Sequence, residues 1–161
     1  MSQKTSDLSA RNKVVLEEAQ PLLKQLSLDW EAIEKGLSKQ GILRECYVGF
    51  NEVYHHVQQP PYGEEVIGVR KLGGVWRICW GMLDYRDGEI DWTPVADCSI
   101  ARRIELLDQV GPLQEKIVES NQQFIGKIQN AVEKSKSIAE DLLDAKAKKK
   151  YSQSRASLEG N

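Results

Sequence analysis

Cysteine is scarce in this sequence and odd in number. Cys46, Cys79 and Cys98 are the only three, and no CxxC or CxxH spacing links them. Such a set argues against a disulfide framework or a zinc site, so reduced thiols in a cytoplasmic setting are the expectation. Long hydrophobic runs are missing too. No apolar stretch approaches the roughly 18 residues that a membrane-spanning helix needs. The polar opening MSQKTSDLSARNK lacks the apolar core of a secretory signal. Charge of one sign is also lacking. At a net −2 there is no global field to recruit nucleic acid or an acidic membrane surface. Walker loops, GxGxxG, GxSxG and HExxH are absent, so no cofactor or metal is expected, and an enzyme is left only as a third reading with a site around His55, His56 and Cys98.

What the chain does have is ordinary globular composition: 161 residues, 40% hydrophobic and 29% charged. One domain is the default at this length. Its centre is Glu64–Leu83, EEVIGVRKLGGVWRICWGML. Two Val/Ile/Trp-rich runs flank Gly73-Gly74, and glycine supplies the positive φ that a tight two-residue hairpin turn demands. Folding there fixes the register. One face pairs Lys71 with Trp76, Val69 with Ile78, Ile67 with Trp80 and Glu65 with Met82. The other pairs Leu72 with Val75, Arg70 with Arg77, Gly68 with Cys79 and Val66 with Gly81. The first is a core layer, because same-face aromatic and β-branched pairs stabilise sheets.

Around this hairpin the periodicity predicts an α+β fold. Helical spacing runs from Leu8 to Leu26, with Pro21 expected to kink it or split it near Gln20, and a second helix spans Leu28–Lys39, capped by Ser27 or Asp29. Leu43–Val57 reads as a strand bulged at Gly49, although its apolar residues also fit a helical stripe. Asp87-Gly88 offers a further turn that would pair Tyr85 with Ile90 and Leu83 with Trp92, completing an antiparallel meander of three or four strands ended by Pro94. Asp97 and Ser99 supply N-cap oxygens for a short helix stopped at Gly111, and Pro112 starts the next. That helix extends to about Ala147, and its only internal breaker is Gly126. Ile117, Asn121, Phe124, Ile128, Ala131, Ser135, Ile138, Leu142 and Ala145 alternate spacings of four and three, a heptad seam weakened by Asn121 and Ser135. About 36 residues of helix span ~54 Å, more than the ~38 Å diameter of a compact 145-residue body. Either the helix breaks at Gly126 or its far end overhangs and needs a partner. The domain is therefore expected over 1–147, with a disordered polar tail over 148–161.

Several constellations invite a function. Arg70 opposite Arg77 is unfavourable unless an anion or nearby carboxylates offset the repulsion. Guanidinium forks match phosphate or carboxylate, and Tyr85 or Trp92 would supply a stacking surface. The plainer alternative is two arginines in water or paired with glutamates of a neighbouring strand. Trp76 and Trp80 share a face with Ile67, Val69 and Ile78 and read as core. His55 and His56, adjacent in a strand, would point to opposite faces and could not chelate one ion. Cys98 lies at a helix start, which favours a thiolate but makes no motif. Lys146, Lys148, Lys149 and Lys150 complement a helix C-terminus. From Lys146 onward five lysines and arginines face one glutamate, so residues 146–161 carry +4 and residues 1–145 carry −6.

Two functional expectations follow. The first is a non-enzymatic interaction or regulatory protein, oligomeric or bound to a protein partner, acting through Ile117, Phe124, Ile128, Ile138 and Leu142 of the long helix. The second is a binding module for a small anionic ligand, such as a nucleotide or phosphorylated metabolite, at Arg70, Arg77, Tyr85 and Trp92. Nucleic acid and membrane are not expected partners.

Overall fold

A computed structural model describes residues 3–159, with side chains described from residue 7 onward. The fold is α+β. A helix α1 (Gln3–Lys39) leads into strands β1 (Cys46–Val53), β2 (Gly63–Leu72), β3 (Val75–Asp84) and β4 (Ile90–Pro94). Helices α2 (Ile100–Leu106), α3 (Val110–Leu142) and α4 (Ala145–Glu159) follow. The strands form one antiparallel sheet in the order β1-β2-β3-β4. By contact the chain divides into two compact units, residues 1–121 and 122–161.

In the first unit the β2–β3 hairpin has the register read from the sequence, from Glu65–Met82 to Leu72–Val75. Gly73 and Gly74 both take positive φ, +57° and +83°, as a hairpin turn of the I′ kind requires. The anticipated bulge in β1 lies between Gly49 and Asn51. A Cβ on Gly49 would stand 2.0 Å from Glu64 Oε1, so the glycine makes room for that carboxylate. The last pairing differs from expectation: Ile90 faces Leu83 and Trp92 faces Gly81. The Asp84 carbonyl accepts the Gly88 N–H at 2.8 Å, and the Asp84 N–H donates to Glu89 at 3.0 Å, which lengthens the loop. Because the slip is by two residues, every side chain of β4 keeps its face.

Three helical segments cover the face of Ile67, Val69 and Ile78. Trp30 and Leu37 of α1, Leu106 of α2, and Leu113 and Ile117 of α3 close the core over it, with Trp76 and Trp80 packed at its margin. Pro21 does not split the helix, and α1 is continuous from Gln3 to Lys39. Pro21 is exposed, so the carbonyl it leaves without a donor can bond water. Ser27 caps nothing; its hydroxyl donates back to the Leu23 carbonyl at 3.1 Å, one turn earlier in the same helix. Ser99 does cap α2, accepting the Arg102 N–H at 3.2 Å. The expected stop at Gly111 is absent. A 3₁₀ turn over Leu107–Gln109 passes into α3, whose first turn contains Gly111 and Pro112. Proline is tolerated there because its missing N–H would have no partner in any case.

Among the described residues one charge is buried in this core. Glu65, 7% exposed, lies on the helix-covered face of β2. It accepts from Asn51 Nδ2 at 2.6 Å and pairs with Arg102 Nη1 at 2.6 Å. The Arg102 guanidinium also reaches Glu105 at 3.0 Å and sits 4.7 Å above the Trp80 ring centroid. A buried carboxylate persists only when so compensated.

The second unit is helical. α3 continues through Gly126 to Leu142. The segment rich in Ala, Lys, Arg and Gln, all good helix formers, is helical as α4 from Ala145 to Glu159. Asp144 Oδ1 accepts the Ala147 N–H at 2.8 Å, and Arg155 pairs with Glu159 at 3.0 Å and Glu133 at 3.6 Å. Among the described residues no helix is long and apolar enough to cross a membrane.

Candidate functional site

The facing arginines of the central hairpin have separate carboxylates. Arg70 Nε lies 3.0 Å from Glu45 Oε2, an ion pair whose angle falls short of a hydrogen bond. Arg77 Nη1 donates to Glu34 Oε1 at 2.9 Å. Each glutamate also accepts a strand N–H: Lys71 donates to Glu45 Oε1 at 3.0 Å and Ile78 donates to Glu34 Oε2 at 3.0 Å. Strand β2 outlasts β1 at Lys71, and β3 outlasts β4 at Ile78. Both glutamates therefore cap sheet edges and neutralise the like-charge pair in one contact.

Trp92 and Arg70, both candidates from the sequence, do meet. The Arg70 Cζ is 5.3 Å from the Trp92 ring centroid, and Tyr47 approaches the same ring edge-on at 6.1 Å. Glycines let the indole lie across the sheet. A Cβ on Gly68 would stand 2.9 Å from Trp92 Cη2, and one on Gly81 would stand 3.0 Å from Trp92 Cε3. Glu45, Cys46, Tyr47, Arg70, Ile90 and Trp92 line a shallow groove of about 230 Å³ here. Tyr85 belongs elsewhere, at the opposite end of the sheet. Its hydroxyl donates to Glu64 Oε2 at 3.3 Å, and desolvation followed by the charges of Glu64 and Glu52 raises its pKa. Nearby Tyr54 donates to Glu52 at 2.5 Å. These carboxylates give the Tyr85 end negative ground, unlike the Arg70–Trp92 groove.

Arg77 lines a second pocket, of about 180 Å³, between α1, β3 and α2. The residue that defines it, Arg103, is not among the sequence candidates. Its Nη1 donates to Ser27 Oγ at 3.0 Å, while its Nε is buried without a hydrogen-bond partner among the described residues. Trp30, 5% exposed, lines the same pocket, and its indole N–H also has no hydrogen-bond partner among the described residues. Ser99 was the available signal, since capping α2 there sets both Arg102 and Arg103 in its first turn. The pairing with Ser27 spans 76 positions and leaves no local trace.

The helical candidates divide along the chain. Ile117 is buried and belongs to the core, Phe124 is half-buried, and Ile128, Ile138 and Leu142 are exposed, the last two at 59% and 81%. A neighbouring stripe missed in the sequence, Val118, Ile125 and Val132, is exposed as well. It recurs every seven residues beside the seam and widens it from two positions per heptad to three, as in helices that pack into bundles. In the first unit α1 repeats the pattern. Leu26, Trp30, Ile33 and Leu37 pack on the sheet, while Leu8, Val15 and Leu22, spaced by seven, are exposed, Leu22 at 70%.

His55 and His56 lie in a turn rather than a strand, beyond the end of β1 at Val53. The His55 ring stacks on Tyr62 with centroids 4.0 Å apart. Burial pushes the Cys79 thiol up to about 11 and raises Cys46 and Cys98 as well, so none is held as a reactive thiolate. Among the described residues no three His, Cys, Asp or Glu side chains gather to hold a metal ion. No family model, curated protein or solved structure matches the chain.

Proposed function

We propose that this chain is a non-enzymatic interaction protein that acts through α3 and works as an oligomer of its own copies. The observation that supports this reading is the three-stripe apolar face of α3, which is exposed beyond Asn121 at Ile125, Ile128, Val132, Ile138 and Leu142. Scattered apolar residues on a surface are ordinary, but a continuous face of this length marks an interaction site. A helix whose apolar residues repeat in this way gains its stability from packing against other helices. The exposed Leu8, Val15 and Leu22 of α1 supply a second face of the same period.

Glutamates at the centre of such an interface would be desolvated without partners, so a few suffice to break it. Glutamate is also a good helix former, and the substitutions leave the helix itself intact. The test is sedimentation equilibrium of the full chain against an Ile128→Glu, Ile138→Glu variant. The reading expects the variant to fall to monomer mass with unchanged helical circular dichroism. Equal masses for the two proteins would refute it.

A further inference from the structure

We propose that the pocket between α1, β3 and α2 binds a small organic carboxylate, gripped by the Arg103 guanidinium and the Trp30 indole N–H. The inference is independent of the self-association of α3. Buried donors in native proteins are almost always paired, and an unpaired one calls for an occupant. Two belong to residues that line this one pocket, Arg103 Nε and Trp30 Nε1. Arg103 also differs from the arginines around it. Arg70, Arg77 and Arg102 each hold a carboxylate, whereas among the described residues Arg103 forms no ion pair. Its one partner is the neutral Ser27 hydroxyl, whose own proton is committed to the Leu23 carbonyl.

The chemistry of the lining selects the ligand class. Two unfilled donors match the two oxygens of a carboxylate, and a guanidinium edge presents its N–H groups in the spacing those oxygens require. Phosphate would bring more oxygens than there are donors and a second negative charge beside Glu31 and Glu34, both of which line the pocket. Glu34 is already satisfied by Arg77 and the Ile78 N–H, so a monoanion meets only the rim charge of Glu31. Ile78, Val95 and Ala96 form an apolar wall suited to a short hydrocarbon body. A volume of about 180 Å³ equals some six waters at ~30 Å³ each, room for an acid with a chain of a few carbons.

The full-length protein, ¹⁵N-labelled, tests this through its tryptophan indole resonances, with Trp30→Phe assigning the relevant one. Butyrate, inorganic phosphate and chloride are titrated separately at constant ionic strength. A saturable shift of the Trp30 resonance with butyrate alone is expected, weakened about tenfold or more in Arg103→Gln. Should Arg103→Gln fail to fold, Ser27→Ala, which removes the anchor of Arg103, is expected to weaken the same titration. Three results would each overturn the proposal: no Trp30 shift with butyrate, an equal shift with phosphate, or an unaltered titration in the folded variants. The first would mean that water alone fills the pocket.

Discussion

Removing the arginine that neutralises Glu65 should be among the most damaging single changes in the first unit. Arg102→Met keeps a long apolar stem over Trp80 and deletes the guanidinium, leaving the Glu65 carboxylate with Asn51 alone. An exposed ion pair would cost ~0–1 kcal/mol. Stranding one partner of a buried pair costs about 3–5 kcal/mol, and Glu65 is 7% exposed. For a chain of this size that is a drop of roughly 6–20 °C in unfolding midpoint, at about 2–4 °C per kcal/mol. Tryptophan fluorescence during thermal or urea unfolding reads it directly, because Trp80 lies under the guanidinium. Glu105→Ala is the control: it removes only the exposed partner of Arg102 and should shift the midpoint by a degree or two. Pairing Arg102→Met with Glu65→Leu should recover most of the loss, since a buried pair replaced whole by apolar groups is near neutral. A loss below about 1 kcal/mol for Arg102→Met, in the range of surface pairs, would refute the claim that this charge is buried and dependent on its partner.

Glycine positions give predictions of opposite sign. In Gly81→Ala the new Cβ would stand 2.5 Å from Ile90 Cγ2 and 2.9 Å from the Asp91 carbonyl, so a loss of about 1–3 kcal/mol is expected in urea unfolding. Gly126 in α3 has nothing within 4 Å, and Gly126→Ala should stabilise the helix by about 0.5–1 kcal/mol, measurable as increased resistance of α3 amides to hydrogen exchange. The Cys79 thiol is raised by burial from 9.0 to about 11. Because the folded value is the higher one, its contribution to stability is complete below the unfolded pKa and is lost as pH rises through about 11. Urea midpoints measured between these two values should fall less steeply in Cys79→Ala than in the parent.

The hairpin was legible residue by residue because a period-two pattern and a Gly-Gly turn together admit one register. The Gly49 bulge showed for a similar reason, as a small residue interrupting a run of larger ones. The register of β4 did not, because the loop is set by main-chain bonds of Asp84 to Gly88 and Glu89 that compete with the shorter Asp-Gly turn. The continuity of α1 through Pro21 did not show either, because a proline's cost depends on whether water can reach the freed carbonyl, which is a property of exposure. At the candidate site the Arg70–Arg77 pair followed from register alone. Their neutralisation did not, since Glu34 is 43 positions from Arg77 and neither its distance nor its direction leaves a trace in local pattern. Arg103 and Trp30 stayed hidden for the same reason. Each looks ordinary on its own helix, and only the packing of α2 near α1 makes them neighbours.

The reading of the long helix stands most directly on the mass of the protein in solution. Static light scattering of the full chain across a concentration series measures it without labels or variants. Self-association through the apolar face of α3 predicts a mass at least twice the 18.2 kDa of one chain, retained on dilution through the micromolar range. A mass of one chain at every concentration would contradict it and leave α3 without the partner that its exposed face requires.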